Sequence, residues 1–341
     1  MTLMMKEQLE GIDALSNISI NKNKINTISL FCKLNYIKNI VLVARGSSNN
    51  AGLYFKYLIE STTDMHLCKF YHSTNTILHN EQNMTKTLCI VISQSGTSPD
   101  TFEVLKMAKA KGALTVAITN NENSPISNLA NHSIYLNCGE EQCVAATKTF
   151  TAEIAVLTML ANSLAQKDDI DFASIIKQLK HFKDEFYSKI ENLAKANLNI
   201  DNLVVLSRGT TQFLGEELCL KLAETSYKLA KAFSVAEFIH GPIALMDNTR
   251  CAILLAPDSE FTDDYIAIAT KLHSLGVNII AFSDINKVLE LATTSIKMPN
   301  CTLSTPFFYT LALQSFSNYL AVNLGINPDT PRGLNKVTKT I

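Results

Sequence analysis

Residues 88–112 read LCIVISQSGTSPDTFEVLKMAKAKG, and the fold is decided there. A five-residue apolar run, 88–92, stops at Ser93-Gln94-Ser95-Gly96-Thr97-Ser98. Phe102, Leu105, Ala108 and Ala110 then recur near helical spacing, with Pro99 in the first turn, where a missing N–H costs nothing. The pattern is strand, hydroxyl-rich turn, helix. The unpaired N–H groups of such a helix start, together with its dipole, favour an anion at the turn. Three serines and a threonine add neutral donors, and nothing in the loop is basic. The loop therefore suits a phosphate held by hydrogen bonds, or, more plainly, a serine-rich turn that only caps its helix.

Working outward, strand and helix patterns alternate on both sides. Residues 39–44, 67–71, 113–119 and 133–136 read as further strands, and 6–15, 24–34, a stretch ending near 60, and 149–164 as helices. Strands that alternate with helices predict a parallel α/β sheet covered on both faces. A linking helix over 168–196 follows, with Ile175, Leu179, Phe182, Phe186, Ile190 and Leu193 on one face. Then the pattern starts again. Arg45, Gly46, Ser47, Ser48 and Gly52 are matched by Arg208, Gly209, Thr210, Thr211 and Gly215 at one offset of 163 residues. Strands at 251–255 and 278–282 continue the match. An offset this long marks a duplicated domain. The expected organisation is 1–165, a linker at 166–200, and 201–341. Where the first half has its hydroxyl loop, the second has Ala256-Pro257-Asp258-Ser259-Glu260-Phe261. Two carboxylates there would repel a phosphate, so a single anion site is expected, in the first half.

The bulk numbers narrow the class. The chain has 341 residues, 47% hydrophobic and 18% charged, with 30 basic against 31 acidic side chains. A balance near zero argues against a general nucleic-acid binder. No apolar run reaches the length of a membrane span, and the start, MTLMMKEQLEGID, does not read as a signal peptide. The eight cysteines show no CxxC and no metal-ligand spacing with histidine. Buried free thiols in a reducing cytoplasm are expected, with no metal.

Three further places carry groups able to do chemistry. A helical pattern over 215–231 sets Glu217, Lys221, Glu224 and Lys228 on one polar stripe beside Leu218, Leu222, Thr225 and Leu229. It is either a solvated ladder of ion pairs or a ligand-facing stripe with Glu224 as general base. His240 precedes Gly241-Pro242, a breaker, and so lies at a helix end, either structural or a proton carrier. The tail NPDTPRGLNKVT, 327–338, has two prolines and a glycine and reads as irregular: a frayed terminus, or a strap that brings Arg332 and Lys336 to a pocket. A lysine enclosed there could form a Schiff base with a carbonyl.

Taken in order, ARGSSNNAG, SQSGTSPDTFEVL, EEQCVAATKTFTAEIAVLTML, LSRGTTQFLGEELCLKLAETSYKLAKAFSVAEFIHGPIAL and NPDTPRGLNKVT resemble the tandem sugar-isomerase (SIS) domain family over nearly the whole chain. The resemblance implies two flavodoxin-like αβα subdomains and a phosphosugar isomerase without cofactor. It is similar to the isomerase half of glucosamine-6-phosphate synthase and to glucosamine-6-phosphate deaminases of this fold. By the resemblance, Ser93, Gln94, Ser95 and Ser98 hold the phosphate, and Ser47 and Val144 contact the sugar. Glu224, with Lys221 beside it, shuttles the proton between C2 and C1. His240 opens the pyranose ring, reaching in from a neighbouring subunit, which implies a homodimer. Lys336 forms an imine with the ketose. Thr2 in place of a cysteine, and the early start of the fold, leave no glutamine-hydrolysing domain in this sequence, which points to the deaminase. Two departures alter the pocket wall: Ala146 stands where the synthases carry a serine, and Ala223 where they carry a lysine. The alternatives are galactosamine 6-phosphate, a deglycase acting on a fructosamine-type phosphate, or a non-catalytic sugar-phosphate sensor.

Overall fold

The computed structural model describes residues 1–69, 83–300 and 304–336, apart from the side chains of Cys68 and Lys69. The expected strand end at 70–71, Cys301 and tail residues 337–338 lie outside them. The chain divides into two compact units, one of Leu9–Gln142, Ala146–Ile176 and Gly333–Ile341, the other of Met1–Gln8, Cys143–Ala145 and Lys177–Arg332.

In the first of these, β1 (Asn39–Val43), β2 (His66–Lys69), β3 (Thr87–Ile92), β4 (Leu114–Thr119) and β5 (His132–Tyr135) form one parallel sheet in the order β2-β1-β3-β4-β5. β3 and β4 are buried at every residue, which is why both read as continuous apolar runs rather than alternating ones. Side chains of β1 alternate between the layers. Val41 and Val43 face a core with Val104, Leu105 and Ala108 of helix Pro99–Ala110. Leu42 faces helix Gly46–Thr62, which comes so close that a Cβ on Gly52 would stand 2.5 Å from Leu42 Cδ2. Helix Lys148–Leu164 packs against Gly46–Thr62 and against Lys22–Leu34.

The other unit repeats this plan. β6 (Leu203–Ser207), β7 (Ala230–Ser234), β8 (Cys251–Ala256), β9 (Asn278–Ser283) and β10 (Thr294–Lys297) run in the order β10-β9-β8-β6-β7, all parallel. Taken from its own first strand, each sheet has the order 2-1-3-4-5, the doubly wound arrangement expected from the repeat. Val204, Leu206, Leu254 and Ala281 pack with Tyr265, Ile268 and Leu272 of helix Thr262–Ser274. Helices Gln212–Ser226 and Thr305–Asn323 pack on each other. Gly215 repeats the role of Gly52: a Cβ there would lie 3.0 Å from Ser207 Oγ.

One helix is shorter than its pattern predicts. The stripe over 215–231 ends at Ser226, where Tyr227 turns left-handed at φ 57°. Residues 230–234 are β7, at the sheet edge. Lys228 therefore leaves the stripe and pairs with Asp201 at 3.0 Å, and Leu229 is exposed. The alternation in KAFSV is compatible with either period over so short a stretch.

Candidate active site

The hydroxyl loop is built by β3 and β4 together. Ser93 leaves β3 buried, its N–H donating to Ile118 O at 3.0 Å, and the Gln94 carbonyl accepts the Asn120 N–H at 3.0 Å. Gly96 turns left-handed at φ +66° against Ser124, where a Cβ would come within 2.1 Å of Oγ. Its N–H donates to Ser93 O at 3.1 Å and lies 3.2 Å from Ser93 Oγ. Ser93 Oγ is also 3.2 Å from Ser98 Oγ, and Ser95 Oγ is 2.9 Å from Thr97 Oγ1. These bonds fix four hydroxyls around one turn. Among the described residues the amide N–H groups of Gln94, Ser95 and Ser98 donate to no protein acceptor. A cradle of free N–H groups and hydroxyls at a helix start is chemistry for an oxyanion.

Asp100, in the first turn of the following helix, would oppose that anion. Its carboxylate is buried and is offset by Arg45, whose Nη2 lies 2.8 Å from Oδ2, while Oδ1 accepts the Thr101 N–H at 2.8 Å. The duplicate carries the same pair, Arg208 with Asp264. This ion pair belongs to the repeat, with the arginines 163 residues apart and the acids 164. Ser47 follows left-handed Gly46 at the start of its helix and is buried, and Ser48 donates to buried Glu153 at 2.7 Å.

The duplicate loop is closed to anions by its own chain. The Asp258 N–H donates to Asp284 Oδ1 at 2.7 Å, the Ser259 N–H to Thr262 Oγ1 at 3.0 Å, and the Phe261 N–H to Ser259 Oγ at 3.2 Å. The expectation of a single anion site was drawn from the charges Asp258 and Glu260. To these the structure adds Asp284, which takes an N–H that a phosphate would need.

Helix Gln212–Ser226 carries the charged stripe inward rather than into water. Lys221 is 1% exposed, with Nζ 2.5 Å from Glu224 Oε2 and 3.5 Å from Glu217 Oε1. Glu217 is buried and Glu224 partly so. The reading of a solvated ladder is overturned: Lys221 and Glu217 are withdrawn from water, which is costly for charges, and Glu224 is partly so. Ala223, on the same helix, is exposed. His240 ends the short helix Val235–Ile239, ahead of Gly241 at φ +149°. It is exposed, and among the described residues its ring has no hydrogen-bond partner. Val144 and Ala146 are half-buried.

The tail is neither helical nor frayed over its described part. The Asp329 carboxylate caps helix Leu3–Ala14, accepting the N–H groups of Leu3 and Met4, each at 2.8 Å. Arg332 stacks over the Tyr227 ring at 4.0 Å and donates its N–H to the Tyr227 hydroxyl at 3.0 Å. Lys336 Nζ lies 2.6 Å from Glu141 Oε2. Glu141 carries no signal of its own in the sequence, because its partners become neighbours only in the fold. The residues thus fall into two sets. Ser47, Ser93, Gln94, Ser95, Ser98 and Lys336 belong to one unit, and Val144, Lys221, Glu224 and His240 to the other.

These geometries define a tandem α/β protein with a hydroxyl-rich loop in one half and a buried lysine–glutamate cluster in the other. The family model described as "SIS domain" matches residues 33–163 and 198–324, and the chain belongs to that family. A glutamine–fructose-6-phosphate aminotransferase (isomerizing) from Bacteroides thetaiotaomicron is 28% identical over 98% of this chain. The chain spans 58% of that relative's length. The C-terminal domain of the glucosamine-fructose-6-phosphate aminotransferase from Francisella tularensis superposes with TM-score 0.83 and 25% identity, covering 97% of this chain and 98% of its own. A glucosamine-6-phosphate deaminase from Thermotoga maritima has the same fold at TM-score 0.75 and 20% identity, covering 96% and 99%. Among the described residues no helix is long and apolar enough to cross a membrane.

Proposed function

We propose that this chain is a phosphosugar isomerase, and that its reaction is the deamination of glucosamine 6-phosphate to fructose 6-phosphate and ammonia. The observation that carries the reading is the buried Lys221 between Glu217 and Glu224, 2.5 Å from the latter. A carboxylate held beside a buried ammonium at the end of an internal stripe is a general base kept in place, not a surface ornament. The hydroxyl loop at Ser93–Ser98, with its free N–H groups, supports a phosphate as the substrate's handle.

In the proposed sequence the loop binds the 6-phosphate and His240 opens the ring. Glu224 takes the C2 proton of the open-chain amino aldose and returns it to C1, while a proton passes from the amine nitrogen to the C1 oxygen, which leaves a ketimine at C2 and a hydroxymethyl group at C1. Water adds to the ketimine carbon and ammonia leaves, with no redox step. Lys336 would enter as an amine that forms an imine with the ketose. His240 is exposed beside exposed Ile239 and Leu245, which supports its use across a homodimer contact.

A second reading has its own support. Relatives named glutamine–fructose-6-phosphate aminotransferase share 28–31% identity with this chain, so the same groups could run the reverse reaction on ammonia supplied by another domain or subunit. One experiment tests the chemistry that both readings share. Purified protein is incubated with glucosamine 6-phosphate and no glutamine, and ammonia and fructose 6-phosphate are followed together. Equal release of both, lost in Glu224→Gln, supports the deaminase. Binding without release overturns it and directs the search to galactosamine 6-phosphate, fructosamine-type phosphates, and then a sensor.

A further inference from the structure

Glu141 is a buried carboxylate that the proposed reaction does not use. It lies seven residues before helix Lys148–Leu164 and caps that helix from outside it. Oε1 accepts the N–H groups of Thr147 at 2.8 Å and Thr149 at 3.1 Å, and Oε2 accepts the Thr149 hydroxyl at 2.7 Å. A carboxylate has about four acceptor directions, and three are filled from its own segment. The fourth receives Lys336 Nζ at 2.6 Å. Burial alone would push this carboxyl up. Lys336 and the Thr147 and Thr149 donors outweigh it and hold the group below the ordinary carboxylate value. Glu141 is therefore a fixed anion, oriented by a helix start, whose one remaining lone pair faces the tail lysine.

We propose that Glu141 is the positioning residue of Lys336. It fixes where the lysine nitrogen rests and keeps residues 333–336 docked, so that the amine is presented from a defined point rather than from a loose tail. The proposal rests on the reading of Lys336 as an imine-forming residue, and goes beyond it in naming what aims the side chain. Glu141 is no proton acceptor in this role, since a carboxylate held below its usual value is a weak base.

The test has two readouts. The first is capture of the imine. The Lys336 amine adds to the C2 carbonyl of fructose 6-phosphate, water leaves, and added cyanoborohydride delivers hydride to the imine carbon, giving a stable secondary amine read by peptide mass. The second is hydrogen-exchange protection of residues 333–336, which needs no activity. Glu141→Gln should lower the captured adduct at least tenfold and strip protection from 333–336, with affinity for inorganic phosphate within twofold of the parent. Glu141→Asp should fall between the two. Capture and protection both at the parent level in Glu141→Gln would overturn the proposal. Should Glu141→Gln fail to fold, Lys336→Gln removes the same pair and leaves Glu141 its helix donors; unchanged protection of 333–336 in that variant overturns the proposal equally. If the parent protein itself captures no adduct, the imine reading of Lys336 has failed, and exchange in the two variants still decides whether Glu141 holds the tail.

Discussion

Lys221 Nζ stands 2.5 Å from Glu224 Oε2 with the lysine 1% exposed, so the two charges share a site that water barely reaches. Glu217 is a second carboxylate on the same ammonium, 3.5 Å away. Removing the cation and removing one anion should therefore differ in cost. Lys221→Met removes the ammonium that lies between the two carboxylates, and should cost about 3–5 kcal/mol in denaturant unfolding. Glu224→Gln leaves Lys221 paired with Glu217, and should cost about 1 kcal/mol. It should lower turnover by about a hundredfold to ten-thousandfold if Glu224 is the base. A Glu224→Gln protein that unfolds as readily as Lys221→Met would mark the triad as structural.

Gly96 decides the hydroxyl loop in a different way. At φ +66°, with Ser124 Oγ 2.1 Å from where a Cβ would stand, Gly96→Ala is both strained and crowded. Ser124 cannot easily retreat, because its Oγ caps the helix Pro125–Leu129 through the Ser127 N–H at 3.1 Å. The substitution should cost about 2–3 kcal/mol of stability and weaken inorganic phosphate binding by calorimetry. Ser95→Ala removes one half-buried hydroxyl and leaves the backbone alone. It should weaken phosphate about tenfold, the worth of one hydrogen bond to an anion, with stability nearly unchanged. Equal phosphate affinity in Gly96→Ala and the parent would remove the loop from the binding site.

The sequence carried most of the fold because the fold is written twice. Arg45-Gly46 and Arg208-Gly209 each follow a buried strand, and each glycine adopts the positive φ that a side chain would resist. The hydroxyl loop was legible for a local reason: all its members lie within six residues. Other parts of the site are long-range. Glu141 is explained by Thr147, Thr149 and a lysine 195 residues away, a distance no periodicity reports. The burial of Glu217 and Lys221 was hidden too, since a buried charged stripe and a wet one have the same spacing, and only the tertiary packing of their helix, against β6, β7 and helix Thr305–Asn323, separates them. The end of that helix at Ser226 turned on the left-handed conformation of Tyr227, a residue with no propensity for it.

The thiols offer a check on packing that is independent of function. Cys32, Cys89 and Cys251 are buried, and burial pushes each thiol up to about 12. Thiolate is the reactive form, so near pH 8 these three should alkylate only on unfolding. Iodoacetamide labelling mapped by peptide mass, with and without denaturant, reads this directly. Rapid native labelling of Cys89, at the centre of β3, would contradict the sheet packing.

Two carboxylates should move stability with pH in opposite directions. Glu141 is held below its ordinary value of 4.5, so its contribution is complete above that pH and is lost as the pH falls through the lower, folded value. The stability gap between the parent and Glu141→Gln should thus be constant near neutrality and close in acid below about pH 4.5. Asp284 is raised from 3.8, chiefly by burial, with Asp258 nearby adding to it. Its favourable term is complete below 3.8 and is lost as the pH rises through the folded value, so at neutral pH the ionised group is a mild burden. Asp284→Asn keeps an oxygen for the Asp258 N–H and drops the charge. Because Asp284 is half-exposed and screened by water, the gain should be only about 0.5 kcal/mol at pH 7, shrinking toward zero near pH 3. Unfolding curves at pH 3, 5 and 7 for the parent and both variants test the pair. If Asp284→Asn is destabilising at pH 7, the loop depends on the carboxylate itself. The second half would then be closed to phosphate by a charge its fold requires, and not merely by one it tolerates.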